Sequence, residues 1–185
     1  MEQPQPSSYS VPPTSRPPPP PPPRLLRTAH TLAGTSVVAS DGPANTFSPF
    51  GPAGTAFSVL DAHPAVPVSN ANQTPSSSPP PPQLPRCPPA GVMFTVSDIP
   101  PGQNAPMHRT LSLDYAVVLS GEIVLVLDGG EERTMVFGDT LVQGGVNHSW
   151  VNRGREWCRI LFVMVGAEKV VLEDGTALEE TVFKR

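Results

Sequence analysis

The sequence predicts an all-β fold, a closed barrel or a two-sheet sandwich, and three observations carry that expectation. Short runs rich in Val, Ile, Leu, Phe and Thr recur from residue 25 to residue 166, several of them alternating apolar with polar side chains at the period of a strand. Turn signals of the Gly-Gly, Asp-Gly and Gly-Asp kind separate these runs at short intervals. Helical periodicity is almost absent, which removes the α/β and helical-bundle classes.

Taken in order, residues 25–31 and 35–39 read as the opening strands, separated by Ala33-Gly34 and closed by Asp41-Gly42. Residues 56–63, AFSVLDAH, form another short strand after a Gly/Pro-rich loop. Residues 92–99 place Val92, Phe94 and Val96 on one face and stop at Pro100-Pro101-Gly102. The stretch 122–137, EIVLVLDGGEERTMVF, is an apolar run, a turn signal at Asp128-Gly129-Gly130 and a charged return, so it predicts a β-hairpin. Gly138-Asp139 makes a tight turn, residues 140–143 a strand, Gly144-Gly145 another turn, and residues 146–151 the next strand. The segment 155–166 is nearly continuously apolar, as suits a strand covered on both faces. Residues 170–180 make either a final hairpin about Asp174-Gly175 or a strand with a short helical turn.

Proline decides how much of the chain folds. There are 27 prolines in 185 residues, and none follows Pro106. Proline donates no backbone hydrogen bond, so the tract ending in the unbroken run 17–23 predicts a disordered arm of polyproline II character at residues 1–23. Such a run suits SH3, WW or profilin-like partners, although a solvated tail is the plainer expectation. The Pro/Ser-rich stretch 64–89 reads as a disordered loop inserted between two strands, tolerable because closure entropy grows only logarithmically with loop length. One barrel over residues 24–180 remains, followed by a tail at 181–185.

The net charge of -4 and the lack of a Lys/Arg cluster argue against nucleic-acid or anionic-membrane partners. Cys87 and Cys158 share no motif spacing and read as free thiols. The N-terminus shows no leader pattern and no apolar run is long enough to span a bilayer, so a soluble, cytoplasmic protein is the expectation.

Two segments place polar, potentially metal-binding groups among otherwise apolar strands. The first carries Gly102, His108, Asp114 and Gly121; the second carries Gly138, Asp139, Gly145, His148 and Asn152. With the hairpin between them, His108 and His148 fall on neighbouring strands. The spacing resembles the two cupin motifs, with Thr110 at the place of the second motif histidine, Asp114 at that of the glutamate and Gln143 at that of the usual proline. The resemblance extends over about residues 24–180 and is strongest after Gly91. It implies a cupin-type double-stranded β-helix, a jelly-roll barrel, with a pairing of single-domain barrels into a homodimer.

More narrowly, PMHRTLSLDYAVVLSGEI and NHSWVNRG resemble small single-domain fungal cupins found beside polyketide synthases, some described as oxidoreductases. That resemblance implies a small-molecule enzyme of secondary metabolism acting on a polyketide-derived aromatic substrate, with decarboxylase, isomerase or cyclase chemistry as further options on this barrel. His108, Asp114 and His148 would make a 2-His-1-carboxylate site, suited best to Fe(II) and compatible with Mn(II), Ni(II) or Zn(II). In the metal-free alternative His108 or His148 is a general acid or base, or the barrel binds a ligand without chemistry. Arg109, Thr110, Trp150 and Asn152 are the candidate substrate-binding residues, since alternation puts Thr110 beside His108 and puts Trp150 and Asn152 beside His148.

Overall fold

The computed structural model describes residues 16–70 and 84–182 and, within them, ten strands joined only by antiparallel pairings. These are β1 Arg24–His30, β2 Ser36–Pro43, β3 Ala56–His63, β4 Val92–Ile99, β5 Ser112–Ser120, β6 Glu122–Leu127, β7 Glu132–Val136, β8 Thr140–Gly144, β9 His148–Val151 and β10 Cys158–Gly166. Five strands form one sheet in the order β3-β4-β10-β5-β8, three form the facing sheet in the order β7-β6-β9, and β1 and β2 make a separate two-stranded ribbon. Among the described residues no helix is long and apolar enough to cross a membrane.

The expected all-β jelly roll is the fold found. The hairpin read at 122–137 is β6 and β7, with Glu122 opposite Val136 and Val126 opposite Glu132. The strand read at 155–166 is β10, at the centre of the large sheet between β4 and β5. Its alternate side chains Cys158, Ile160, Phe162 and Met164 are buried in the interior, where they meet Ile123, Leu125 and Trp150 of the small sheet. Each such side chain contributes roughly 1.5 to 3 kcal/mol when fully buried. Leu161, on the other face of β10, packs with Phe94, Val96 and Leu25 of β1. The β1–β2 ribbon therefore covers part of the large sheet's outer face, which accounts for the near-continuous apolarity of β10.

Residues 1–15, 71–83 and 183–185 lie outside the described residues, and with them much of the two expected disordered segments. The described remainder makes contacts with the fold. Residues 16–23 are hydrogen-bonded to the barrel, with the Ala44 amide donating to the Pro23 carbonyl at 2.7 Å. Proline lacks a donor but keeps its carbonyl, so such a run can accept hydrogen bonds from outside. Residues 84–90 also pack on the fold: the Cys87 thiol donates to the Met164 carbonyl at 3.3 Å, and Arg86 pairs with Glu180 at 2.5 Å. Thr181 is tied in as well, its amide donating to the Arg109 carbonyl at 3.0 Å. Near Asp174-Gly175 the chain turns back with Val171 opposite Ala177, the hairpin option of the sequence reading.

Two glycines with positive φ separate conformational from steric demands. Gly121 joins β5 to β6 at φ +73°, and a Cβ there would stand 2.5 Å from the Trp157 carbonyl oxygen, whereas Gly130, at φ +85°, has nothing within 4 Å of that position. Gly130→Ala is expected to cost about 1 to 2 kcal/mol, the penalty of a left-handed conformation. Gly121→Ala should cost roughly 1 to 3 kcal/mol more, since backbone must shift. Urea denaturation of the two variants checks the difference, and equal costs would refute the close approach to Trp157.

Candidate functional site

The site begins with a backbone pairing. Residues 104–108, which follow the Pro100-Pro101-Gly102 break, run antiparallel beside β9 with Asn104 opposite Val151 and His108 opposite His148. The two histidines exchange both backbone hydrogen bonds, each 2.8 Å, so their side chains leave the same face of the small sheet. The imidazole centroids are 4.3 Å apart. Trp150, two residues beyond His148, stands edge-on to it at 5.9 Å and edge-on to Phe162 of the opposite sheet at 5.9 Å. The large sheet supplies the other half: Asp114 on β5 lies directly opposite Gln143 on β8.

Between the sheets is a cavity of about 590 Å³, lined by His108, Thr110, Asp114, His148 and Trp150. The volume falls within the range of about 300 to 1,000 Å³ common to small-molecule sites. Apolar groups form much of the wall, with Phe50, Phe57, Ile99, Phe162 and Met164 on it.

Both histidines are fixed through Nδ1. His108 Nδ1 lies 2.8 Å from the Pro106 carbonyl oxygen and His148 Nδ1 lies 3.1 Å from that of Val146. A carbonyl only accepts, so each Nδ1 carries the proton, and in the neutral ring Nε2 carries the lone pair. Burial, and after it the neighbouring His108, push the His148 pKa down to about 4, against a smaller opposing effect of the Val146 carbonyl. His108 is lowered by burial, partly restored by Pro106 and lowered again by the positive charge of Arg86. Both rings are thus neutral at neutral pH. The Gln143 amide nitrogen, 3.2 Å from His148 Nε2, is then the donor in that contact.

Asp114 is held differently. Burial raises its pKa, while hydrogen bonds from the Ser112 and Gln143 side chains lower it. Ser112 in turn hydrogen-bonds the Thr110 hydroxyl at 3.1 Å. The Gln143 amide is held at His148, and Asp114 Oδ1 and Gln143 Oε1 remain as buried acceptors without a hydrogen-bond partner.

The arrangement of donors tests the expected metal site. Among the described residues no three His, Cys, Asp or Glu side chains are grouped so as to hold a metal ion. His108, Asp114 and His148 share the cavity, and the Gln143 amide donates to the nitrogen lone pair that His148 would offer an ion. Asp is also one methylene shorter than Glu. As placed, the three side chains line one cavity without forming a grouped ligand set.

The substrate-binding candidates divide. Thr110 and Trp150 line the cavity. Arg109 is absent from the lining and instead donates from Nε to the Gly145 carbonyl at 2.9 Å, because alternation sends it to the face opposite His108. Asn152 is fully buried just beyond the end of β9, where its amide nitrogen donates to the Ile99 and Glu156 carbonyls and its Oδ1 accepts from the Gly154 amide. It closes the loop to β10 and does not reach the cavity. Sequence reasoning missed Gln143, Arg86 and the wall residues Phe50 and Phe57 as parts of the site. Gln143 carries a local signal, a polar residue at an inward position of a short strand; Arg86 lies in a low-complexity stretch that offers none. Both cysteines are free, and burial raises Cys87 to about 11 and Cys158 to about 12, so neither is a thiolate nucleophile at neutral pH.

Two packed antiparallel sheets around a cavity, with a histidine from each motif at its wall, make the molecule a jelly-roll barrel of the kind the sequence resemblance implied. Residues 95–164 match the family model for the cupin domain. It is 47% identical to phomopsin biosynthesis cluster protein C' of Diaporthe leptostromiformis over 49% of this chain and 48% of that protein. It is 42% identical to the cupin-domain-containing oxidoreductase fogC of Aspergillus ruber over 48% of this chain and 45% of that protein. The chain spans about half the length of the curated relatives it matches. Among solved structures, the cupin domain of Schizosaccharomyces pombe Cnp3 is similar with a TM-score of 0.48 and 14% identity, over 77% of this chain and 86% of that one.

The neutral His148 makes a measurable prediction. Its folded pKa of about 4 lies below its ordinary 6.5, so the unfolded chain takes up a proton as pH falls through this window while the folded chain does not. Stability is then fully present above pH 6.5 and declines by about 3 kcal/mol toward pH 4. The raised pKa of Asp114 acts in the opposite sense, favouring the folded state as pH falls. His148→Gln should therefore flatten the acid decline. Urea unfolding at pH 7 and pH 4.5 measures it, and an unchanged difference between the two pH values in the variant would rule out His148 as the cause.

Proposed function

We propose that this cupin barrel is a small-molecule enzyme of fungal secondary metabolism whose pocket works by proton transfer at His108. The observation that carries the reading is the pair of neutral imidazoles, His148 buried and His108 half-buried, each locked by a backbone carbonyl through Nδ1, at the wall of a largely apolar cavity. A neutral imidazole with an oriented Nε2 lone pair is a general base, and a base of lowered pKa returns its proton readily. His148, with its Nε2 accepting from Gln143, is the positioning member of the pair. Trp150 and Phe162 offer aromatic faces to the body of a substrate, and Thr110 a hydroxyl.

Two relatives support a role in small-molecule biosynthesis, while the proton step is assigned from the site alone. One carries the description of a cupin-domain-containing oxidoreductase and another that of a biosynthesis cluster protein. An oxidoreductase in a biosynthetic gene cluster acts on a small organic intermediate, and a polyketide-derived aromatic suits the mixture of aromatic wall and polar floor. The proton step assigned to His108 requires no metal. The His108, Asp114 and His148 set with Fe(II) is the second reading, favoured by their shared cavity and opposed by the Gln143 amide at His148 Nε2.

The test uses the producing organism and the purified protein together. Replacing His108 by Gln in the chromosomal gene should cause one biosynthetic intermediate to accumulate. Purified wild-type protein should convert that intermediate, and the His108→Gln variant should do so about 100-fold to 10,000-fold more slowly. Metal content, measured after expression with added Fe, Mn and Zn, should be at background in the wild type, in His148→Ala and in Asp114→Asn. Stoichiometric metal that is lost in both variants would transfer the reading to a metalloenzyme. An unchanged metabolite profile, with the intermediate bound but not converted, would leave a ligand-binding barrel.

A further inference from the structure

The proline run lies on the barrel by accepting hydrogen bonds. Trp157 donates its indole N–H to the Pro17 carbonyl at 2.8 Å, Arg159 donates from Nη2 to the Pro21 carbonyl at 2.6 Å, and the Ala44 amide donates to that of Pro23 at 2.7 Å. A polyproline II helix has no internal hydrogen bonds, so its carbonyls are available to such donors, and its fixed φ means that little chain entropy is lost on docking. Trp157 and Arg159 are two residues apart at the entry to β10, the spacing that puts both on one face. Arg159 is further aimed by Asp98, which accepts from its Nε at 2.6 Å and from its Nη2 at 2.8 Å. Asp98 is 2% exposed, so the guanidinium is held by a buried bidentate partner and presents a remaining N–H outward. Trp157 is itself buried, at 8% exposure, with the arm against its indole N–H.

At the start of the run, Arg16 reaches two carbonyls on different loops. Its Nη1 donates to Ala53 at 2.6 Å and its Nη2 to Pro101 at 2.9 Å. Ala53 lies on the cavity wall with Phe50, Gly54 and Thr55, and Pro101 lies in the turn that leads into the His108 segment. One guanidinium therefore bridges the two stretches of backbone that border the cavity.

We infer that Trp157, Arg159 and the Ala44 amide form a polyproline II binding site whose ligand is this chain's own segment 16–23, and that docking this segment fixes the rim of the cavity through Arg16. The proline run is thereby assigned a partner within the molecule. Its carbonyls at Pro17, Pro21 and Pro23 are occupied, so the site competes with any outside domain for the same strand of prolines. The cis ligand has an effective concentration on the order of millimolar, which excludes a free peptide of similar intrinsic affinity.

The experiment uses the full chain. Replacing Pro18, Pro19 and Pro20 by Gly leaves the three accepting carbonyls in place and removes the preorganisation between them, which should weaken docking roughly ten- to a hundredfold. Hydrogen exchange of the Trp157 indole N–H, read by NMR, should accelerate in this variant. A synthetic peptide of residues 16–23, added at about 50 μM, should then restore protection in the glycine variant and have no effect on the wild type, where the site is already filled. A Gly/Ser peptide with the same leading Arg should do nothing. Equal exchange in wild type and variant would overturn the binding site, and so would faster exchange that the proline peptide cannot reverse. For the rim, Arg16→Ala should raise backbone exchange across residues 48–55 about tenfold while the Trp157 indole stays protected. Unchanged exchange in 48–55 would overturn the link to the cavity.

Discussion

The reciprocal backbone pairing of His108 and His148 is the contact on which the rest of the site depends. Residues 104–108 have no strand of their own to continue, because the Pro100-Pro101-Gly102 break ends β4 and β5 begins only at Ser112. Lying along β9, they extend the small sheet and satisfy backbone groups that would otherwise face the cavity edge. The same pairing sets two imidazoles side by side at 4.3 Å, a distance at which two charged rings would repel strongly. The low pKa of His148 is thus a consequence of the sheet's register as well as of burial.

The large sheet answers with Asp114 and Gln143, and the polar groups of the interior are organised by the glutamine. Its amide nitrogen faces His148 Nε2, and it lies directly opposite Asp114 in the pairing of β5 with β8. A proline at that position, as in the usual cupin motif, would have no side-chain donor to offer either group. The departures from the motif at Gln143 and Asp114 face each other across two adjacent strands, and the Gln143 contact with His148 begins a polar network there. Such a network fixes side chains firmly when it is satisfied, and the two unpartnered acceptors, Asp114 Oδ1 and Gln143 Oε1, mark where it is incomplete.

The segments of low complexity take part in the fold through their backbone carbonyls and a few charged side chains. Residues 16–23 lie on the outer face beside β10, while Arg86 joins the inserted stretch to the C-terminal segment through Glu180 and the Thr181 carbonyl. Both attachments surround the cavity without supplying much apolar burial. They rely on donors placed by the barrel, so the order of these segments follows from the barrel's surface.

The sequence by itself determined the class of fold, the hairpin of β6 and β7, the inward alternation of β10 and the adjacency of His108 and His148. Those features rest on period-two patterning and on turn residues a few positions apart, which are local properties of a chain. It also showed that Trp150 shares a face with His148. Only the tertiary structure decided that Gln143 stands between Asp114 and His148, since this depends on the pairing of β5 with β8 and on the distance between two sheets. Only the structure turned Arg109 toward Gly145 and Asn152 toward the Ile99 and Glu156 carbonyls, because alternation gives a face and says nothing of which neighbour waits there. The docking of the proline run was hidden for the same reason: composition reports that prolines cannot donate to a sheet, whereas their carbonyls find partners only where a folded barrel has placed Trp157 and Arg159 within reach.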